Sequence, residues 1–179
     1  MSTQHDPVTS PDHTMVHADT IEAMAAMPEG CLALAVTSPP FDEFFCYSND
    51  AGDMGNNRPQ GFNLAWRFFC EQLHRVMAPG GVVVLHWTDL IAWQVKDGYM
   101  GLKDLGGRLH EAMEAVGFHL RAKIAIEKDA QAVAARMNLH SIQFKTLRSD
   151  TGACFPIRND YLYVFQKEGE RPPITSFER

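Results

Sequence analysis

Two short apolar runs set the architecture of this chain. Leu32 to Val36 and Val82 to Leu85 are uninterrupted by polar residues and bounded by turn residues. Runs of this length without alternation fit strands of a parallel sheet, covered on both faces. A parallel pair needs a crossover, and the residues between the runs supply one. From Phe62 to Met77, the positions Ala65, Phe68, Phe69, Leu73, Val76 and Met77 recur at helical spacing and share an apolar face, with Phe68 and Phe69 as core. Pro79, Gly80 and Gly81 are expected to break that helix before the second strand.

The flanking segments continue the alternation. Thr14 to His17 reads as a short strand, and Thr20 as the N-cap of a helix carrying Ile21, Met24 and Ala25. Tyr47 to Gly61 is polar and rich in Gly, Asn, Asp and Pro, a long loop of the kind that carries function. Lys96 to Gly107 holds four glycines and reads as a linker. Leu105, Leu109, Ala112, Met113 and Val116 mark a further helix, with Gly117 in the C-cap position. His119 to Glu127 and Asp160 to Gln166 read as strands. Strands alternating with helices predict an α/β sheet with helices on its faces. Residues 1–12 read as a disordered lead, 13–167 as the folded region and 168–179 as a loose tail.

Composition narrows the functional classes. No apolar run approaches the roughly 18–20 residues that cross a bilayer, and the polar N-terminus is no secretory signal. The expectation is a cytoplasmic protein without a membrane partner. Cys31, Cys46, Cys70 and Cys154 contain no C-x-x-C pair, and His13 and His17 lie in a strand-like segment, so no metal site is expected. The net charge of −6 opposes a strongly basic nucleic-acid binder. The charge is unevenly spread, however. Between Arg121 and Arg158 the bases Arg121, Lys123, Lys128, Arg136, Lys145, Arg148 and Arg158 face the acids Glu127, Asp129 and Asp150. That segment is either a solvated excursion or an arm that contacts phosphates.

The chemistry concentrates where the first run stops, at Thr37, Ser38, Pro39, Pro40 and Phe41. In open α/β sheets ligands sit outside the carboxyl ends of the strands. Two consecutive prolines have no N–H and fix φ, so they hold a rigid turn that offers carbonyl acceptors and few donors. The exocyclic amine of a base is a pair of donors. Ser38 Oγ and a proline-flanked carbonyl would accept both protons, and Phe41 would stack on the base. Such a base must be flipped out of a duplex. The plain alternative is a loop that merely follows a strand. His86, at the end of the second run, reads either as pocket lining or as a satisfied core histidine.

These residues carry a resemblance. Asp19 through Phe41 resembles the opening of S-adenosylmethionine-dependent DNA amino-methyltransferases: a strand ending in Asp, a helix, a run ending in Leu-Ala-Val, then Thr-Ser-Pro-Pro-Phe. The likeness extends through Tyr47 to Asn49, Asp53 to Asn56, Gln72 to Gly81, Gly101 to Leu105, Glu127 to Asp129 and Asp160 to Lys167, in consistent order, as in phage and restriction-modification members of the permuted class that begins with the Pro-Pro motif. The resemblance implies a Rossmann-like methyltransferase fold, α/β, its sheet mostly parallel with an antiparallel strand near the C-terminus and incomplete in this chain. It makes Ser38, Pro39, Pro40 and Phe41 the catalytic motif. It places Asp19 and Thr37 toward S-adenosyl-L-methionine, Asp19 having helix N-terminal charge as its other reading. Serine at the head of the motif favours cytosine N4 over adenine N6. Double-stranded DNA is the implied partner, with Lys128, Arg136, Lys145 and Arg148 as phosphate contacts.

One family feature is missing. The cofactor normally lies on a Phe-x-Gly-x-Gly turn, and these 179 residues contain no Gly-x-Gly. Either a C-terminal half or a second chain carries that turn, or the protein is an inactive DNA-binding remnant. An RNA base or a glutamine amide also fits a Pro-Pro-aromatic turn.

Overall fold

The computed structural model describes residues 8–9, 13–41, 53–54, 59–129, 132–133 and 159–170. In chain order they form β1 (Val8–Thr9), β2 (Thr14–Met15), α1 (Thr20–Ala26), β3 (Leu32–Thr37), α2 (Pro59–Val76), β4 (Met77–Trp87), β5 (Leu90–Ala92), α3 (Gln94–Asp97), β6 (Gly101–Lys103), α4 (Leu105–Ala115), β7 (Phe118–Glu127) and β8 (Asn159–Lys167).

The two apolar runs pair in parallel as β3 and β4, with Leu34 level with Val82, Val36 with Val84 and Thr37 with Leu85. The main sheet has the order β3-β4-β8-β7. β8 is antiparallel to both β4 and β7. Three of these strands therefore point one way and β8 runs against them, as expected for a mostly parallel sheet with a reversed strand near the C-terminus. β1 with β2, and β5 with β6, make two small antiparallel ribbons.

One face of the sheet is covered by helices. Val83, Leu85 and Trp87 of β4, with Tyr163 and Phe165 of β8, are buried in one cluster with Phe62, Trp66, Phe69, Leu73 and Val76 of α2 and Leu105, Leu109 and Met113 of α4. The Trp87 ring lies 4.4 Å from Tyr163 and meets Trp66 edge-on at 6.1 Å. α1 joins this layer through Met24. Arg75 of α2 fastens it by donating to the Met24 and Met27 carbonyls at the end of α1, at 2.5 and 2.9 Å. Cys70 lies in the same core, and burial, helped by the Glu71 charge, pushes its thiol up to about 12. Cys31 is exposed, while Cys46 and Cys154 lie outside the described residues.

The opposite face is open. Leu34 and Val36 are 58% and 69% exposed, and Ile124 and Ile126 of β7 are 51% and 39% exposed. By register, Val82, Val84, Leu162 and Val164 fall between them, all partly accessible. The apolar runs are thus covered on one side, not on both as their composition predicts.

Several local expectations need correction. Asp19, not Thr20, caps α1: its carboxylate accepts from the Ile21 and Glu22 amides at 2.9 and 3.0 Å. Phe68 is 50% exposed and only Phe69 of that pair enters the core. β2 stops at Met15. α2 starts at Pro59 and gives way to β4 at Val76–Met77, so Pro79, Gly80 and Gly81 lie inside an irregular strand whose register slips between Leu32 and Leu34. The supposed linker holds α3 and β6, and with β5 it forms a hairpin that turns at Gly98 with φ +80°. Gly106 opens α4, where a Cβ would lie 2.6 Å from the Tyr163 hydroxyl, so packing excludes any side chain there. Among the described residues, no helix is long and apolar enough to cross a membrane.

Candidate active site

Pairing register builds the site. Ser38 follows the Thr37–Leu85 pair, so it stands beside His86. Side chains alternate along a strand, which puts Ser38 and His86 on the open face with Val36 and Val84. His86 lies opposite Leu162 of β8, and Asp160, two residues earlier, shares that face one pleat closer to the strand end. Ile126 of β7 lies opposite Asp160, and Lys128 follows it by two. Two strands, β4 and β8, and the segments that follow β3 and β7 thus deliver His86, Asp160, Ser38 and Lys128 to a line across the carboxyl end of the parallel strands.

The four side chains touch in series. Ser38 Oγ is 3.0 Å from His86 Nδ1. His86 Nε2 is 3.4 Å from Asp160 Oδ2. Lys128 Nζ donates to Asp160 Oδ1 at 2.5 Å. Phe41 meets the imidazole edge-on, with ring centres 5.8 Å apart. Buried Thr88 donates to the Asn159 carbonyl at 3.3 Å and also reaches the Asp160 carboxylate.

Asp160 feels opposing influences. Burial raises its carboxyl, but hydrogen bonds from Lys128, Thr88 and His86 and the Lys128 charge outweigh burial and hold it below the ordinary 3.8. A depressed carboxylate contributes stability that is complete above its unfolded value and lost as pH falls through its folded one. Urea unfolding compared at ~pH 6 and ~pH 3 is expected to show a stability loss to which Asp160 contributes. Asp160→Asn should make the loss smaller; an identical loss in the variant would deny that Asp160 contributes.

The residues singled out by sequence take up different places. Thr37 ends β3 and is half-buried, Pro39 is buried, Pro40 and Phe41 are half-buried, and Ser38 is exposed. Phe41 also packs against the core. Asp19 is exposed at the start of α1, where its carboxylate is engaged in capping. Lys128 is engaged by Asp160. Arg136, Lys145 and Arg148, like Tyr47 to Asn49, lie outside the described residues. Sequence reasoning assigned no function to Asp160 and left His86 undecided. The only signal was that each stands at the end of an apolar run; register is what joins them.

Two cavities, about 480 and 500 Å³, lie between β6 and α4 and between α2 and α4, and Ser38 and His86 line neither. No group of three His, Cys, Asp or Glu among the described residues could hold a metal.

The sequence matches no protein-family model and no curated protein. Solved structures do match the fold. A candidate DNA modification methylase from Thermus thermophilus, complexed with S-adenosyl-L-methionine, aligns over 88% of this chain and 54% of its own, with a TM-score of 0.62 and 20% identity. The PvuII DNA methyltransferase, specific for cytosine N4, aligns over 88% of this chain and 50% of its own, with a TM-score of 0.57 and 15% identity. The fold is therefore the Rossmann-like methyltransferase α/β fold, and the chain spans about half the length of the structures it matches. The chain has no Gly-x-Gly turn, and the Asp19 carboxylate is spent on a helix cap.

Proposed function

We propose that this chain is the catalytic-motif half of an S-adenosyl-L-methionine-dependent DNA amino-methyltransferase. The observation that carries the reading is Ser38 at the carboxyl end of β3, held at 3.0 Å by His86 beside Phe41 and a rigid Pro39-Pro40 turn. Ser38 Oγ and a proline-flanked carbonyl accept the two protons of an exocyclic amine, and Phe41 lies flat on the flipped base. The serine-headed motif and the cytosine-N4 specificity of the PvuII enzyme favour cytosine N4 over adenine N6. Permuted motif order, and a phage or restriction-modification origin, belong to this same reading.

The cofactor would be held mainly by polypeptide outside these 179 residues that carries a glycine-rich turn, with Thr37 and Asp19 bordering it. The open face of Leu34, Val36, Ile124 and Ile126 is where that half would pack. Leaving those side chains wet forgoes roughly 25 cal/mol for each Å² of apolar surface. Calorimetry on the isolated chain is expected to find weak or no binding of S-adenosylmethionine. A micromolar dissociation constant would mean that these residues form the cofactor site unaided.

Double-stranded DNA is the proposed substrate, with Arg136, Lys145 and Arg148 on its phosphates and Lys128 shared between DNA and Asp160. Replacing Arg136 and Lys145 by alanine should flatten the slope of log affinity against log salt by about 2, at roughly 0.9 per lost phosphate contact. Fluorescence anisotropy across a salt series measures it, and an unchanged slope would return the segment to a solvated excursion. The missing glycine turn favours one rival, a non-catalytic DNA-binding remnant. That rival predicts salt-dependent binding with no methylation even when the complementary half is supplied.

A further inference from the structure

We propose that His86 is a positioning residue that aims the Ser38 hydroxyl, making Ser38 an acceptor toward the substrate amine; the inference rests on the reading of Ser38 given above. A serine hydroxyl carries one proton and two lone pairs and turns freely. If its proton pointed at an amine, donor would face donor and the contact would be lost. Something must hold that proton on the far side, and His86 Nδ1 at 3.0 Å is placed to do so.

Nδ1 accepts only if it is unprotonated, which puts the ring proton on Nε2. The structure supplies the reason for that tautomer. Nε2 faces Asp160 Oδ2 at 3.4 Å, and a carboxylate there favours Nε2–H. Asp160 is in turn kept as an acceptor by Lys128 at 2.5 Å on its other oxygen. Phe41 packs against the imidazole at 5.8 Å and limits its rotation. Lys128 therefore sets Asp160, Asp160 sets the His86 tautomer, and His86 sets the Ser38 rotor. Protonating His86 would make both ring nitrogens donors. Ser38 would then accept from Nδ1 and turn its own proton outward, closing the acceptor without unfolding the chain. Among the described residues, the charged groups that face the ring are Asp160 and, behind it, Lys128.

The test is nitrogen-15 NMR of the histidine side chains in the intact chain, with His86 identified by the resonances missing from His86→Gln. At pH ~8 wild-type His86 is expected as the Nε2–H tautomer with a hydrogen-bonded Nδ1. Ser38→Ala should shift the Nδ1 resonance and leave Nε2 in place. Asp160→Asn should mix the tautomers, because Nε2–H loses the carboxylate that favours it. A wild-type His86 protonated on Nδ1 overturns the proposal, and that measurement needs no variant to fold. So does an unchanged tautomer in Asp160→Asn whose other histidine resonances show a native fold. These readouts involve neither cofactor nor DNA. A failed NMR test therefore removes the role of His86 and leaves the methyltransferase reading standing, whereas a failed methylation assay with the NMR result as expected removes the substrate amine and leaves only the Ser38–His86–Asp160 hydrogen bonds.

Discussion

Ser38→Ala is expected to lower methyl transfer by on the order of 100-fold, in any preparation in which this chain methylates DNA, while leaving the fold intact. One well-placed hydrogen-bonding group at a reacting centre is worth about 10²–10³ in rate. Ser38 is exposed at a strand end, so its loss opens no core cavity. Its side chain meets His86 across β3 and β4 and carries no part of the helix-covered core. Phe41→Ala should have a comparable effect by removing the surface on which the base stacks. Single-turnover methylation of a DNA substrate, with circular dichroism to check the fold, measures both. Activity kept within a factor of about 3, well short of the tenfold that ~1.4 kcal/mol represents, would make the Pro39-Pro40 turn purely structural.

Trp87→Ala should produce the largest stability loss. Trp87 is fully buried between Trp66, Tyr163 and Phe165. Truncating a buried Trp typically costs about 3–5 kcal/mol, because lost burial adds to a cavity that relaxes only in part. Against a domain stability of about 5–15 kcal/mol, that is roughly a fifth of the total or more. The adjacent His86→Ala serves as the contrast, since His86 points to the open face and its removal should cost within about 1 kcal/mol. Urea titrations of the two variants test the pair. Similar losses would contradict the assignment of the two faces of β4.

The parts of the fold that the sequence revealed were those set by periodicity. The apolar stripes of α2 and α4 and the runs that became β3, β4 and β8 were legible because burial selects residue type at each position. What failed was decided by tertiary context. Lys96 to Gly107 looked like a linker because glycines punctuate it, yet Gly106 is there to let Tyr163 approach. The runs of β3 and β4 predicted cover on both faces, but Leu34 and Val36 are exposed, because the composition of a strand does not place a second layer beside it. In the candidate site, Ser38 to Phe41 could be found because prolines constrain the backbone wherever they occur. His86 and Asp160 could not, since neither carries a local mark; they meet Ser38 only after three strands take up register. The proposed phosphate contacts Arg136, Lys145 and Arg148 rest on charge pattern alone.

The place of β8 in the sheet also governs how the chain is made. β8 is the last of the four strands to be synthesised, yet it sits in the interior, hydrogen-bonded to β4 on one side and β7 on the other. Until it arrives, two strand edges stand bare and the slot beside Trp87 lacks Tyr163 and Phe165. Contacts between segments so far apart in the sequence close slowly, because chain entropy must be overcome before any pairing rewards it. A nascent chain halted before Asn159 therefore exposes pairing edges and an unfilled aromatic core together. During translation this is the period of greatest risk of aggregation, and it ends when one nine-residue strand slides between its neighbours.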